Sequence, residues 1–229
     1  MYCGAYWGKR MESTSECVSR MHQFLTDLHT IDALFQSWFM RGRSRRDALR
    51  LPVSLRQEDL TLLFQGGRHN EIADLSKQEL LGYTVGLWNG QSNSVGLSVS
   101  CGAATNALVV PNALVLDLPP RTESTMHIYD RDIMNRVMIA IANAWNPDWA
   151  VCTTTELRDI QWDSRGVLSF GWLTFIARHN MSGTPSFPHG IVTQALAEGI
   201  LIQARDNLDD MTADVIEEIR IGLIPAGVT

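Results

Sequence analysis

The sequence predicts an α+β fold, a mixed, largely antiparallel sheet packed against helices, in one domain over residues 1–229. Segments of period two alternate with segments of helical spacing. Two alternating runs flank Asn89-Gly90 and Ser92-Asn93-Ser94, which points to a hairpin whose loop is longer than two residues. No internal repeat, low-complexity tract or convincing linker divides the 229 residues.

The elements follow in chain order. Residues 1–7 alternate Tyr2, Gly4 and Tyr6 against Cys3, Ala5 and Trp7, a strand ended by Gly8. Ser13 or Ser15 offers an N-cap, Glu16 three residues after Ser13 completes a capping box, and Val18, Met21, Leu25 and Leu28 recur at helical spacing, so 14–30 reads as an amphipathic helix. Ile31, Leu34, Phe35, Trp38 and Phe39 pack beneath it, and 41–50 is a basic connection. A short helix covers 57–64, followed by a polar loop to Asn70. Tyr83, Val85 and Leu87, then Val95, Leu97, Val99 and Cys101, define the hairpin, with serines on the open face of its second strand. A strand at 113–118 stops at Pro119-Pro120. The most apolar helix is 130–145, with Met134, Val137, Met138, Ile141 and Trp145 as its core stripe and Asn146-Pro147 as its end. Strands at 150–154, 171–177, 191–196 and 199–204 and a helix at 211–222 complete the chain.

Composition narrows the class. A hydrophobic fraction of 45% and a mean hydropathy of −0.05 exclude a disordered chain. The longest apolar runs, such as 137–142, are far short of a membrane span, and the first residues lack a signal peptide's pattern. Cys3, Cys17, Cys101 and Cys152 lie far apart without a CxxC pair, which suits reduced core thiols in a cytoplasmic protein. Residues 1–150 carry 14 Lys/Arg against 15 Asp/Glu, whereas 151–229 carry 5 against 10. The net charge of −6 therefore resides almost wholly in the last third and disfavours contact with phosphate backbones.

Catalytic patterns fail one by one. No CxxC or HExxH supplies zinc ligands, and His69-Asn70-Glu71 lacks the PCxxC turn that would complete a deaminase site. Gly96-Leu97-Ser98-Val99-Ser100 lacks the last glycine of a nucleophile elbow, and no phosphate-cradling glycine loop exists. The sequence thus points to no catalytic residue, metal or cofactor. Asp148 with Glu156 and Arg158 mimics the carboxylate pair of a Mg-dependent nuclease, the enzymatic alternative. Arg41, Arg43, Arg45, Arg46 and Arg50 leave a second alternative, a cytoplasmic scaffold or nucleic-acid adaptor. Their plainer reading is a solvated turn paired with Asp47 and other acids.

The acidic C-terminal segment is the candidate site for a protein partner. Asp206, Asp209 and Asp210 precede the last helix, and Asp214, Glu217 and Glu218 share one of its faces. Such a patch steers a basic protein into contact, although a well-capped, solvated face uses the same residues. Among seven tryptophans, Trp145 and Trp172 fall in apolar runs, while Trp162 in a polar stretch is the candidate interface anchor.

Several short blocks in shared order carry a family resemblance: Gly4-Ala5-Tyr6-Trp7-Gly8 with Arg10, Glu12-Ser13, Cys17 and Arg20, then Trp38-Phe39 and Ser44-Arg45. Leu87-Trp88-Asn89-Gly90, Pro111-Asn112 with Leu116 to Pro119, Pro147-Asp148-Trp149 and Gly171-Trp172-Leu173-Thr174 continue it. The chain resembles the immunity protein 52 family over most of its length. The resemblance implies an α+β antidote to a polymorphic toxin, often a restriction-endonuclease-fold DNase delivered by a contact-dependent or type VI secretion apparatus. It supplies no catalytic residues. The partner it implies is a basic cognate toxin, with no membrane and no direct nucleic acid contact.

Overall fold

In the computed structural model, residues 1–67, 80–105, 112–161 and 168–228 are described. They form two compact units, Tyr6–Pro119 on one hand and Met1–Ala5 with Pro120–Thr229 on the other. Each unit is α+β, as the sequence predicts. Strand β1 (Tyr2–Trp7) gives its first four residues to the second unit and its last two to the first.

In the first unit, α1 (Thr14–His29) starts where Ser13 and Glu16 close the predicted capping box. The Glu16 carboxylate accepts from the Ser13 backbone N–H at 2.7 Å, and those bonds hold its pKa below the usual value. Cys17, Val18, Met21, Phe24, Leu25 and Leu28 form its buried stripe. Strands β2 (Trp38–Met40) and β3 (Pro52–Val53) flank α2 (Arg45–Ala48), and α3 (Gln57–Gly66) packs on α1. The hairpin β4 (Tyr83–Trp88) and β5 (Gly96–Cys101) pairs in register, Tyr83 opposite Cys101 and Trp88 opposite Gly96. With β6 (Asn112–Asp117), the strand order is β3-β2-β4-β5-β6, and these ladders are antiparallel. Burial alternates along all three longer strands, so one sheet face packs and the other meets solvent.

Two buried asparagines bind this unit together. Asn89 is 1% exposed and uses both ends of its amide, donating to the Leu34 and Asn93 carbonyls and accepting from the Gln91 and Val95 N–H groups. Asn112 is fully buried, accepts from Ala103 N–H at 2.8 Å and donates to the carbonyls of Gly8 and Ala103. Glu12 is likewise buried, and its carboxylate pairs with Arg10 and Arg20.

In the second unit the strand order is β1-β7-β8-β10-β9, with β7 (Trp149–Thr153), β8 (Leu173–Ala177), β9 (Val192–Leu196) and β10 (Gly199–Gln203). The apolar helix α4 (Arg131–Trp145) lies on β7 and β8, and its predicted core stripe is buried. Its Asp130 cap accepts from the Asp132 and Ile133 N–H groups, and Asn146 ends it in the left-handed conformation at φ 44°. Beyond β7 lies the short helix α5 (Thr155–Asp159), and α6 (Ala213–Leu223) closes the chain behind its Thr212 cap. Trp145 and Trp172 are buried core, as expected.

All four cysteines are buried free thiols. Cys3 donates to Cys152 across 3.3 Å, and Cys101 shares a hydrogen bond with Cys17. Burial, then the Cys3 contact, pushes the Cys152 thiol well up; the Cys17 hydrogen bond, then burial, does the same for Cys101. These are packing thiols, poor nucleophiles by the same physics. Among the described residues no helix is long and apolar enough to cross a membrane.

Candidate functional site

The acidic C-terminal residues are split between a turn and a helix. Asp209 and Asp210 lie in a 3-10 turn, Leu208–Asp210, anchored by buried Leu208 and Met211. They precede the Thr212 cap and stand outside α6, so only Asp214 sits in its first turn. A pattern of apolar Val215, Ile216, Ile219 and Leu223 turns Asp214 and Glu217 outward.

Most of these carboxylates have an arginine partner. Arg121 grips Asp209 through both guanidinium nitrogens, one of them at 2.7 Å. That bond holds the Asp209 carboxyl below its usual range and raises the arginine's pKa. Arg131 meets Asp206 at 2.7 Å, Arg205 meets Glu218 at 2.6 Å, and Arg220 meets Glu217 at 3.2 Å. Asp210 accepts only from the Asn207 side-chain amide, and Asp214 has no ion pair among the described residues. The face is thus a lattice of exposed ion pairs, each weak in water, whose excess negative charge rests on Asp210 and Asp214.

Next to it lies a cleft of about 440 Å³, lined by Arg121, His127, Tyr129, Asp130, Asn207 and Asp209 among others. Arg121 lies 5.8 Å over the Tyr129 ring, and burial pushes that phenol up to about 12. The hydroxyl therefore stays protonated at neutral pH and can only act as a neutral hydrogen-bonding group.

The outward face of α6 holds a feature that charge reading missed. Ile221 and Ile224 are 56% and 61% exposed and continue the line of Asp214 and Glu217. Helical spacing from Asp214 could have found them, because positions seven and ten residues on return to the same side. Trp162, the expected anchor, lies outside the described residues, as do His69, Asn70, Glu71 and Pro111.

The nuclease-like pair does not converge. Asp148 precedes β7 and accepts from His179 Nε2 at 2.9 Å, while Glu156 sits beyond the strand in the first turn of α5. A five-residue strand separates them by roughly 15 Å or more, too far to share one metal ion. Hydrogen bonds from its own backbone N–H and from Thr154 hold Glu156 below the usual carboxyl value. No cluster of three or more potential metal ligands occurs among the described residues.

Comparison with known families matches residues 1–205 to the family described as Immunity protein 52. The chain belongs to the immunity protein 52 family. No curated protein matches it. Among solved structures it is similar to the Pseudomonas aeruginosa T6SS protein PA0821, with a TM-score of 0.51 and 8% identity over 98% of this chain and 72% of that one. At that identity the likeness is one of fold. Among the blocks that carry the resemblance, Asn89, Asn112 and Glu12 are buried and bonded within the fold.

Proposed function

We propose that the chain is a non-enzymatic immunity protein that binds and neutralises a cognate toxin, and so protects the producing cell and its kin. The observation that carries this reading is the family match over residues 1–205. Its agreement with a fold seen in a T6SS protein supports delivery of that toxin by a type VI secretion system. The toxin fits a basic nuclease of restriction-endonuclease fold acting in the cytoplasm, where the antidote would meet it. Asp206, Asp209, Asp210, Asp214, Glu217 and Glu218, with Trp162 as anchor, form the proposed contact.

Physically, uncompensated Asp210 and Asp214 steer a basic protein, and Ile221 and Ile224 are covered once it docks. The paired carboxylates can exchange their own arginines for the partner's, which costs little because exposed pairs are weak. The test is co-expression with the toxin gene beside this one, followed by binding of the purified pair. The chain should rescue growth and bind one to one. Reversal of Asp214, Glu217 and Glu218 to lysine should slow association roughly tenfold in low salt and flatten its salt dependence. Growth arrest despite co-expression would end the immunity reading, and an unchanged on-rate would remove the acidic face from it.

A further inference from the structure

The first unit concentrates positive charge in one short segment. Arg41, Arg43, Arg45, Arg46 and Arg50 are all exposed, and their side chains make no ion pair or hydrogen bond among the described residues. Asp47, the expected partner, is spent on α2, where its carboxylate accepts from Ser44 Oγ at 2.7 Å while Ser44 caps the helix. Five guanidinium groups within ten residues repel one another, and an anionic partner would relieve that repulsion. Met40, Leu49 and Leu51 are 38%, 44% and 43% exposed in the same segment.

Beside these residues opens a cleft of about 560 Å³, lined by Arg41, Ser44, Arg45, Trp88, Gln91 and Asp117 among others. Trp88 forms part of its wall, with Phe39 tilted at 6.4 Å behind it and Arg45 at 5.9 Å over its ring. Arginine and tryptophan around a cleft are the residues that dominate protein–protein contacts. Asp117 sets what else the occupant must bring: its carboxylate can accept an N–H or a cation, which a protein surface offers and a phosphate backbone does not.

We propose that residues 40–51 and this cleft form an interaction surface for a protein with an acidic docking patch. A partner carboxylate enters between Arg41 and Arg45, against the Trp88 wall. Water weakens such a pair when it is exposed, and exclusion of water on docking strengthens it. The inference rests on the reading that the chain works by binding a protein, not on that partner's being a nuclease.

A synthetic glutamate-rich peptide is the probe, followed by proton–nitrogen NMR at Trp88 Nε1 and the arginine Nε groups in low salt. The peptide should shift Trp88 and the arginines, and an Arg41→Gln/Arg45→Gln variant with unchanged melting temperature should bind it at least about tenfold more weakly. Shifts that are absent, or that survive the double substitution, overturn the proposal. Duplex DNA binding more tightly than the peptide overturns it in favour of a nucleic-acid surface. With the adjacent toxin, Arg41→Glu/Arg45→Glu should lose rescue. Peptide binding at Trp88 without any toxin binding would sink the immunity reading alone. Toxin binding that the reversed variant retains would sink this surface alone.

Discussion

Asn112 shows how a single amide can hold several turns of chain. It serves Ala103 N–H, Ala103 C=O and Gly8 C=O at once, from a fully buried position. Asn112→Ala would leave three backbone groups without that partner in a place water reaches poorly, a loss of about 2–4 kcal/mol. A denaturant melt checks this, and a loss below about 1 kcal/mol would mean that the groups find other partners. Residue-level reading of the sequence did find Asn89, Asn112, Glu12 and Arg20, but as marks of resemblance. Their physical role was not legible, because it depends on carbonyls far away in the chain. The cysteines were legible as reduced core thiols, whereas their meeting in two pairs was not. Which strand lies beside which is not written in spacing.

At the scale of elements, local signals carried furthest. The Ser13–Glu16 capping box, the period-two hairpin and the Asn146-Pro147 stop depend on neighbours within a few residues, and each lies where the sequence put it. Strands β2 and β3 and helix α2, two to four residues long, went unread because so short a run shows no period. Helix α5, five residues, was missed for the same reason. The last helix was placed two residues early, since Thr212 looks as much like a first turn as a cap. Gly171 shows what close packing of elements demands. A Cβ there would lie 2.4 Å from the Cys152 carbonyl oxygen and 2.8 Å from Thr153 Cβ, against the end of β7. Gly171→Ala should therefore force β7 and the start of β8 apart and cost roughly 2–4 kcal/mol. Hydrogen exchange should show faster opening of Val151 and Cys152 than of the β4–β5 hairpin, and uniform protection would contradict the local account.

For the whole molecule, the question is where the charge of −6 matters. Sequence placed it correctly in the C-terminal third, but pairing with Arg121, Arg131, Arg205 and Arg220 spends most of it in that region. What a sequence count cannot see is which charges are already answered. Hydrogen bonds to carboxylates give the fold a pH dependence. Glu16, Asp59, Glu156 and Asp209 all have carboxyl pKa values held below their ordinary ones, by hydrogen bonds from Ser13, Ser54, the Glu156 backbone and Arg121 first in each case. Depressed folded values mean that the unfolded chain takes up protons first as pH falls. Stability from these groups is then complete above the ordinary carboxyl range of about 4 and is lost on passing down through the folded values. With the sequence pI near 5.5, general charge repulsion is also least just above that range. Thermal melts should thus change little from pH 7 to pH 5 on account of these groups and fall from pH 5 to pH 3 by the modest amount that exposed carboxylates allow. A melting temperature at pH 3 equal to that at pH 5 would show that the four carboxylates are as well off unfolded as folded.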